Sequence, residues 1–471
     1  MFTLDINDAT PLYRQLYQKI RYQVLTGELP AHSRLPSIRD LAVELEISRN
    51  TVEGALQELC AEGYLYSKSR SGYFVSSIDQ EFAPKEQEVS PRRNLHPKRA
   101  ERYRYDFHPA RFDPDIFPSS LWRKCLLEGL RADSGAFSQY SEPQGEWGLR
   151  CNLQYYLERS RGVLCSPDQI VICSGLQHGL NVVAQLIRER HCSMAVENPG
   201  YHLPRDLFRN QGFAVEPINI GPDGLCLNEL KSSTCTVVYI TPSHQMPMGQ
   251  VMPVANRLEL ISWAKQGERL IIEDDYDSEL RYEGKPIPSL QGLYPQGNII
   301  YQGTFSKVFS PAMRLSYMVL PHPLLQDYNR LFRNYLCPVP LLIQRAMILF
   351  MERGHWDQHL RRCRIFYRKK HDAMLKAVEQ FLGPNAKVVG RGAGLHIVLE
   401  LTNGLTDEAG LIDRARQSGC RLLPFSDFYA ARGLETNKLL LGFGGVGIDD
   451  IAHGVQTLAN LVGISLQNKT K

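Results

Sequence analysis

The sequence predicts an α/β protein with a small helical domain at its N-terminus and a large domain built on a mostly parallel central sheet. Residues 1–76 are dense in short helical patterns, whereas the chain from about residue 106 alternates short β-branched runs with helical patterns. Residues 77–105 between them are polar, broken by proline and basic at 92–104, which is typical of an extended linker. The expected domains are therefore 1–76, 77–105 and 106–471, with a smaller C-terminal subdomain at roughly 355–471.

Composition narrows the class of protein further. The chain has 471 residues, and its 54 Lys and Arg against 50 Asp and Glu leave a net charge of only +4, so DNA binding would depend on local clusters of positive charge. No apolar run approaches the roughly 18 residues that a membrane span needs, and the first residues are not typical of a secretion signal. The 11 cysteines lack C-x-x-C pairs and metal-ligand spacing, which indicates reduced thiols in the cytoplasm and no metal site.

Two short helices around a tight turn are predicted in the N-terminal domain. The first begins at Ser37 with capping-box spacing to Asp40, and the second begins after Ser48, a favoured N-cap residue. Apolar residues line one face of each helix, and the second helix opens with three polar side chains, Arg49, Asn50 and Thr51. This is the pattern of a helix-turn-helix, whose second helix presents its first residues to base edges or phosphates.

A short hairpin with a basic tip follows these helices. Residues 63–67 and 72–75 are strand-like and flank Lys68-Ser69-Arg70-Ser71, so Lys68 and Arg70 would contact DNA phosphates as the wing of a winged helix. A small protein-docking module is the alternative, because five acidic residues (Asp40, Glu44, Glu46, Glu53 and Glu58) dilute the positive field. DNA binding is favoured because the wing, the turn and the caps agree.

Short sequence motifs in this domain resemble those of a known family. The runs L-P-S-I-R-D-L-A from Leu35, S-R-N-T-V from Ser48, A-E-G-Y-L from Ala61 and G-Y-F-V from Gly72 resemble the winged-helix domain of GntR-type bacterial regulators over about 65 residues. The resemblance implies that Arg39, Arg49 and Thr51, with Ser37 and the wing, contact double-stranded operator DNA.

Six β-branched runs in the large domain are candidates for buried strands of a largely parallel sheet. They lie at 169–173, 193–196, 236–240, 270–273, 298–301 and 317–320. In such sheets ligands bind at the carboxyl ends of the strands, so the residues that follow these runs are the candidates for chemistry.

Lys307 follows one of these strands. It closes the run Y-Q-G-T-F-S-K and stands seven residues before Arg314. Such a lysine suits a Schiff base with an aldehyde cofactor, while Thr304, Ser306 and Arg314 would hold a phosphate. A single lysine is more often a solvated surface charge, so this interpretation depends on the other motifs.

An acidic run, E-D-D-Y-D at 273–277, ends another strand. A buried carboxylate such as Asp274 can keep a pyridine nitrogen protonated, and Tyr276 could hydrogen-bond the phenolic oxygen of the same ring. Metal binding by clustered acids, or a helix N-terminus rich in carboxylates, explains the run equally well.

Two weaker motifs would complete the same site. Small residues after the strand at 169–173 lead into a helical pattern, so that Gly175, Leu176 and Gln177 could form a phosphate cup from free N–H groups. After the turn N-P-G, Tyr201 could stack on an aromatic ring.

Together these motifs resemble the fold-type I aminotransferases, with Y-S-E-P-Q-G at 140–145 matching an early motif of that family, over roughly residues 106–471. The resemblance implies pyridoxal 5′-phosphate as the cofactor, with Lys307 as the Schiff-base lysine, Asp274 as the ring-nitrogen partner, Tyr276 beside the phenolic oxygen and Arg314 at the phosphate. It also implies a homodimer, because the family's tyrosine that corresponds to Tyr140 often reaches the phosphate of the neighbouring subunit's cofactor.

The combination of both domains resembles the MocR/GabR-type regulators, which sense amines, amino acids or vitamin B6 through an aminotransferase-like domain. The runs T-P-S-H-Q-M-P and G-T-F-S-K look like that subfamily. His244 and Gln245 occupy the stretch where ordinary aminotransferases hold the cofactor oxygen with an asparagine, and they are candidates for that contact. The alternative is a working transaminase or racemase with an accessory DNA-binding module, since the residues for amine chemistry are present.

The effector is expected to differ from γ-aminobutyrate. Where the GABA-responsive regulator carries arginines for the effector carboxylate, this chain has His202-Leu203 and, near the C-terminus, Asp427, which would repel a carboxylate. Another amine, an amino acid held differently or pyridoxal phosphate itself remains open, as does a carboxylate contact through Arg205 or Arg391.

Overall fold

A computed structural model describes residues 2–5, 8, 10–78, 103–131, 134–284, 287–402, 407–431, 433–434 and 436–463. The described residues form two compact units, one within 1–100 and one within 101–471. Most of the predicted linker lies outside the described residues, so its boundaries stay a prediction. In the described part of the chain, no helix has the length and apolarity needed to span a bilayer.

The N-terminal unit contains three helices and one hairpin. Its elements are α1 (Leu12–Thr26), α2 (Ile38–Glu44), α3 (Arg49–Ala61), β1 (Leu65–Lys68) and β2 (Gly72–Val75), with the two strands antiparallel. One apolar core joins the inner faces of all three helices to the hairpin, through residues that include Leu16, Ile20, Leu41, Val52, Leu56 and Val75. The predicted winged helix-turn-helix is therefore present.

The large unit alternates strands with helices. In chain order its first elements are β3 (Tyr105–Asp106), α4 (Ser119–Arg131), α5 (Trp147–Arg161), β4 (Ile170–Cys173), α6 (Leu176–Ile187), β5 (Ser193–Asn198), α7 (His202–Asn210), β6 (Ala214–Gly221), β7 (Gly224–Leu225), α8 (Leu227–Ser232), β8 (Val237–Ile240), α9 (Val254–Lys265), β9 (Leu270–Asp275), α10 (Leu290–Leu293), β10 (Ile299–Thr304), β11 (Ser316–Val319), α11 (His322–Leu331) and α12 (Leu341–Glu352).

These strands form an eight-stranded sheet in the order β4-β11-β10-β9-β8-β5-β6-β7. The neighbours from β10 to β6 pair in parallel, whereas β11 and β7 run antiparallel to their neighbours. Each of the six predicted strands is present, and the prediction of a mostly parallel central sheet is confirmed. Four-residue β4 and β8 and six-residue β9 are completely buried, as expected for strands covered on both faces.

A second, smaller sheet lies in the C-terminal third of the chain. The remaining elements are α13 (His355–Phe381), β12 (Ala386–Val389), β13 (His396–Leu401), α14 (Glu408–Gln417), β14 (Cys420–Arg421), β15 (Lys438–Gly442) and α15 (Ile448–Leu461). Strands β12, β13 and β15 pair antiparallel, and β14 pairs in parallel with β3. Tyr105, which the sequence assigns to the end of the linker, therefore pairs within the large unit.

Candidate cofactor site and DNA-binding surface

The start of α3 presents polar side chains to solvent. Arg49 and Asn50 are exposed, and the Oγ of Ser48 accepts a hydrogen bond from the N–H of Thr51 at 3.1 Å. The hydroxyls of Ser48 and Thr51 are also 2.7 Å apart, so Thr51 takes part in the cap of this helix. The cap fixes where the helix begins, and with it the direction in which Arg49 leaves the backbone.

The other predicted DNA contacts lie on α2 and at the hairpin. Ser37 caps α2 by accepting from the N–H of Asp40 at 3.2 Å, and Arg39 is exposed on its first turn. Arg70 lies at the hairpin tip with φ 60°, and the Nζ of Lys68 lies 5.0 Å from the ring centroid of Phe74. Among the described residues, Arg39, Arg49, Lys68 and Arg70 form no ion pair, which leaves their charges available to phosphates.

In the large unit, a cavity of about 490 Å³ opens at the carboxyl ends of the parallel strands. Nine of the residues predicted to bind the cofactor line it: Leu176, Gln177, Tyr201, Asp274, Tyr276, Thr304, Ser306, Lys307 and Arg314. They come from five different segments, and the sheet brings them together because its parallel strands end at the same edge.

Lys307 is half-buried in this cavity, three residues after the end of β10. Its Nζ donates to the carbonyl oxygen of Pro109 at 3.2 Å and lies 5.6 Å from the ring centroid of Tyr276. Burial lowers the pKa of the Lys307 ammonium, although the charges of Asp277 and Asp274 oppose this effect. A lowered pKa increases the fraction of free amine, the form that attacks a carbonyl group.

The acidic run at the end of β9 is divided among three sets of partners. Glu273 accepts from the N–H groups of Leu290 and Gln291 at 2.9 and 3.1 Å, so it caps α10. Asp275 pairs with the buried guanidinium of Arg161 at 2.5 Å. Asp274 alone of these three lines the cavity. In the described residues, no cluster of three or more acidic, histidine or cysteine side chains has the arrangement of a metal site.

Asp274 is a buried carboxyl group that forms no ion pair with any residue that the structure describes. Its side chain accepts a hydrogen bond from the hydroxyl of Tyr239, and the residue is 3% exposed. Burial raises the pKa of Asp274 to about 7; the Tyr239 hydrogen bond opposes this rise, and nearby acids add to it. A cationic group placed against Asp274 would reverse this shift, because it would stabilise the carboxylate.

Arg314 lies over the N-terminus of α6. It has φ 49°, and its Nη2 donates to the carbonyl oxygen of Ser174 at 3.2 Å. Helix α6 begins after Gly175, which has φ 81° and provides no side chain to cap the first N–H groups of the helix. A guanidinium and uncapped N–H groups thus face the same space, which is the donor set that a phosphate requires.

Tyr276 lines the cavity, and its hydroxyl contacts the buried pair of His244 and Asp277. The Nδ1 of His244 lies 2.7 Å from Asp277 Oδ2 and 3.1 Å from the Tyr276 hydroxyl. The amide of Gln245 donates to Glu197 and to two carbonyl oxygens. The sequence predicts that His244 and Gln245 contact the cofactor. Both side chains are buried in the protein, however, and they do not line the cavity.

Tyr140 is 86% exposed and does not line the cavity of its own chain. Its predicted contact with a neighbouring subunit stays a prediction. Tyr201 lines the cavity, and its ring lies edge-on to that of His202 with centroids 5.2 Å apart.

Asp427 requires a correction. The sequence predicted that its carboxylate repels an effector carboxylate, but Asp427 is exposed, and its neighbour Phe428 is the one that lines the cavity. The side chain that this segment presents to the cavity, that of Phe428, is therefore buried and apolar. A short 3-10 helix at Phe425–Phe428 causes the difference, since its turn of three residues directs Phe425 and Phe428 inward and leaves Asp427 exposed.

The two arginines that could hold a carboxylate have other partners. Arg205 donates to the carbonyl oxygens of Tyr429 and Asp427 at 2.7 and 3.5 Å. Arg391 pairs with Glu283 at 3.2 Å. Neither lines the cavity.

Several residues that line the cavity escaped the sequence analysis. They are mostly apolar and lie far apart in the chain: His108, Pro109, Leu203, Met246, Leu423 and Phe428. Leu203, Met246 and Phe428 stand close to residues that the sequence analysis named, so proximity to Tyr201, Gln245 and Asp427 was the one available signal. The other three come from loops whose approach to the site depends on the tertiary fold.

Comparison with known proteins agrees with this geometry. Residues 12–75 match the family model "Bacterial regulatory proteins, gntR family", and residues 113–431 match "Aminotransferase class I and II". The chain is 38% identical to the uncharacterized HTH-type transcriptional regulator YhdI of Bacillus subtilis over 97% of this chain and 96% of the relative. It is 31% identical to the probable rhizopine catabolism regulatory protein MocR of Rhizobium meliloti over 97% and 95%.

Solved structures agree on the large unit. A kynurenine aminotransferase of Pyrococcus horikoshii superposes with a TM-score of 0.69 and 26% identity, covering 78% of this chain and 92% of the other. The fold and the two family matches thus define a protein with a GntR-type winged helix and a fold-type I aminotransferase body. The chain belongs to the gntR family of bacterial regulatory proteins, in its MocR-type branch.

Proposed function

We propose that this chain is a transcription regulator whose aminotransferase-like unit binds pyridoxal 5′-phosphate and senses a primary amine, an amino acid or the cofactor itself. One observation carries the proposal. The amine of Lys307, the carboxyl group of Asp274 and the guanidinium of Arg314 line one cavity, in a chain that also has a helix-turn-helix with exposed Arg49 and Asn50. The family and the names of the relatives, which are transcription regulators, support this proposal.

The donor set of the cavity fits this cofactor. The phosphate would lie between Arg314 and the N-terminus of α6, where a Cβ at Gly175 would fill the space. The ring nitrogen would face Asp274, which is buried and has no ion-pair partner in the described part of the chain, and Tyr201 would stack on the ring. Tyr276 would donate to the phenolic oxygen.

Bound pyridoxal phosphate supplies an aldehyde that reacts reversibly with primary amines and a ring that withdraws electrons. The residues of this chain would bind and orient that group. Asp274 would hold a proton on the ring nitrogen by charge pairing, Arg314 would fix the phosphate, and Lys307 would supply the competing amine. The Asp277–His244 pair would hold the Tyr276 hydroxyl in place.

Regulation would follow if the effector binds one conformation of the protein more tightly than another. An effector can shift a conformational equilibrium only by its differential affinity for the two states. In a homodimer, which the family resemblance implies, two winged helices would reach two half-sites of an operator, and joining the two contacts would raise the apparent affinity.

A DNA-binding measurement tests the proposal. Full-length protein with and without pyridoxal phosphate is titrated onto DNA from its own promoter region and onto unrelated DNA at one salt concentration. We expect specific binding that changes in affinity with cofactor or with an amine. Absence of specific DNA binding in all forms would contradict a regulator.

The alternative is an aminotransferase with an accessory DNA-binding module. It is favoured by Lys307, Asp274 and Tyr276 together, and by relatives such as the 2-aminoadipate transaminase of Thermus thermophilus at 30% identity over 73% of this chain. Sustained turnover of amino acids and keto acids at roughly 1 s⁻¹ or above would support the enzyme.

A further inference from the structure

The part of the cavity that the cofactor would leave free is apolar. Once Lys307, Asp274, Tyr276, Arg314 and the phosphate cup are assigned to the cofactor, the lining that remains is mostly Pro109, Ala110, Leu203, Met246, Leu423 and Phe428. Met246 and Phe428 are buried. The three polar groups among the rest are the imidazoles of His108 and His202 and the hydroxyl of Thr241, which donates to the carboxylate of Glu197 at 2.6 Å.

Among the described residues that line this part of the cavity, no lysine or arginine is free to bind a carboxylate. Lys307 and Arg314 are the only basic side chains other than histidine that line the cavity among the described residues, and both have roles toward the cofactor. Burial lowers the pKa of His108 to about 4, and neighbouring positive charges add to this effect, so this imidazole is neutral near pH 7.

The nearby arginines are held by groups of the chain itself. Arg205 bridges to two carbonyl oxygens of residues 427 and 429, and its side chain is 14% exposed. Arg111 and Arg421 share the carboxylate of Asp106 at 3.0 and 3.5 Å. A carboxylate brought into the cavity would lose its water without gaining a charged partner, which is unfavourable.

We infer that the effector is a primary amine with an apolar body and no carboxylate, an inference that rests on the proposed function. The amine would exchange with that of Lys307, so that one carbon–nitrogen bond forms as another breaks, Lys307 leaves as a free amine and no electrons are transferred. The apolar body would lie against Met246, Leu203 and Phe428, where burial of its surface favours binding.

Matched ligand pairs test this inference on the full chain loaded with pyridoxal phosphate. Phenethylamine is compared with L-phenylalanine, and isoamylamine with L-leucine, because the members of each pair differ only in the carboxylate. The readout is the change in visible absorbance of the bound cofactor. Concentrations are expressed as unprotonated amine, and each half-saturation value is divided by that for free pyridoxal phosphate in buffer, which removes differences in intrinsic reactivity.

We expect the normalised half-saturation concentration to be lower for each amine than for its amino acid by roughly tenfold or more. The variant Leu203→Arg should lower the ratio of the amino acid's half-saturation concentration to that of its amine by roughly tenfold, since it places a guanidinium in the cavity lining. Leu203→Gln, which is polar but uncharged, should leave the preference for the amine in place.

Three other outcomes are distinguishable. Equal or tighter binding of the amino acids would overturn the inference while leaving the proposed function intact. A coloured protein whose spectrum responds to neither class of ligand would overturn it as well. A protein that stays colourless with pyridoxal phosphate would overturn the proposed function, and the inference with it.

Discussion

The guanidinium of Arg314 lies against the backbone of Gly175, so closely that a Cβ atom at Gly175 would stand 2.0 Å from Nη2. Gly175 also has φ 81°, a backbone angle that residues other than glycine rarely adopt. We expect Gly175→Ala to raise the Kd for pyridoxal phosphate by roughly tenfold or more, because Arg314 must move out of the phosphate cup. Titration of the cofactor-free protein, followed by visible absorbance, measures this effect.

Gly179→Ala is the matched control, because it lies on the same helix and a Cβ there would meet its neighbours at ordinary distances of 3.6 Å. Pyridoxal, which lacks the phosphate, should lose much less affinity from Gly175→Ala. An equal loss for both molecules would show that the variant disturbs the whole cavity and not the phosphate cup.

Lys307→Ala should abolish the visible absorbance of the bound cofactor and its trapping by borohydride. Lys307 is the one lysine that lines the cavity among the described residues, so we expect no other amine to replace it. Lys376→Ala, at an exposed position of α13, should keep both signals. Survival of the absorbance in Lys307→Ala would mean that a different lysine carries the cofactor.

The raised pKa of Asp274 predicts that the stability of the cofactor-free protein depends on pH. Burial raises this pKa in the folded state from 3.8 to about 7. Between these two pH values the folded protein therefore holds a proton that the unfolded chain has lost. The stability that this group contributes is present below about pH 4 and is lost as the pH rises through about 7. Asp274→Asn removes this titration and leaves an oxygen to accept from Tyr239.

The measurement is the difference in melting temperature between Asp274→Asn and the natural protein, both free of cofactor. We expect this difference to shift in favour of the variant by about 2 °C or more between pH 5 and pH 8. Other buried acids, such as Glu197 and Glu279, titrate in both proteins and cancel. A difference that does not change with pH would contradict an elevated pKa at Asp274.

Arg49 and the hairpin are expected to act differently on DNA. Arg49→Ala should weaken operator binding by about 1–3 kcal/mol and reduce discrimination against unrelated DNA, because the start of α3 presents this side chain to base edges or phosphates. Lys68→Ala and Arg70→Ala should weaken binding to all sequences alike and reduce the dependence of log Kd on log salt by about one unit each. Fluorescence anisotropy at several salt concentrations separates the two effects.

Arg14→Ala is the control for these variants, since Arg14 is exposed on α1, outside the helix-turn-helix. It should leave both specificity and salt dependence nearly unchanged. Equal losses for Arg14→Ala and Arg49→Ala would indicate a general effect of net charge rather than a contact at the start of α3.

Local patterns were sufficient to predict six strands of the central sheet and two helix caps. Strands β4, β8, β9 and β10 are short, β-branched and buried, and Ser37 and Ser48 cap helices as their spacing indicated. Strand β6 escaped because it is largely exposed and contains Pro217. The antiparallel direction of β11 also escaped, because the residues of a buried strand carry no information about its direction.

The site was predictable where residues follow strands and unpredictable where loops fold back. Asp274 lies at the end of β9 and Lys307 shortly after β10, and the spacing of seven residues from Lys307 indicated Arg314. Pro109, by contrast, reaches Lys307 across 198 residues of chain. Asp427 was misplaced because a 3-10 helix turned Phe428 inward in its stead. His244 and Gln245 were assigned from a neighbouring motif, and the side-chain directions that decide their contacts depend on packing.

The antiparallel hairpin of β10 and β11 has a consequence for how this site could change. Lys307 and Arg314 both lie in the connection between these strands, whose partners are held in register by Thr304 opposite Ser316. A single inserted or deleted residue there would displace the amine and the guanidinium at the same time. Changes of specificity should therefore arise by substitution at the walls of the cavity, while the length of this connection stays constant.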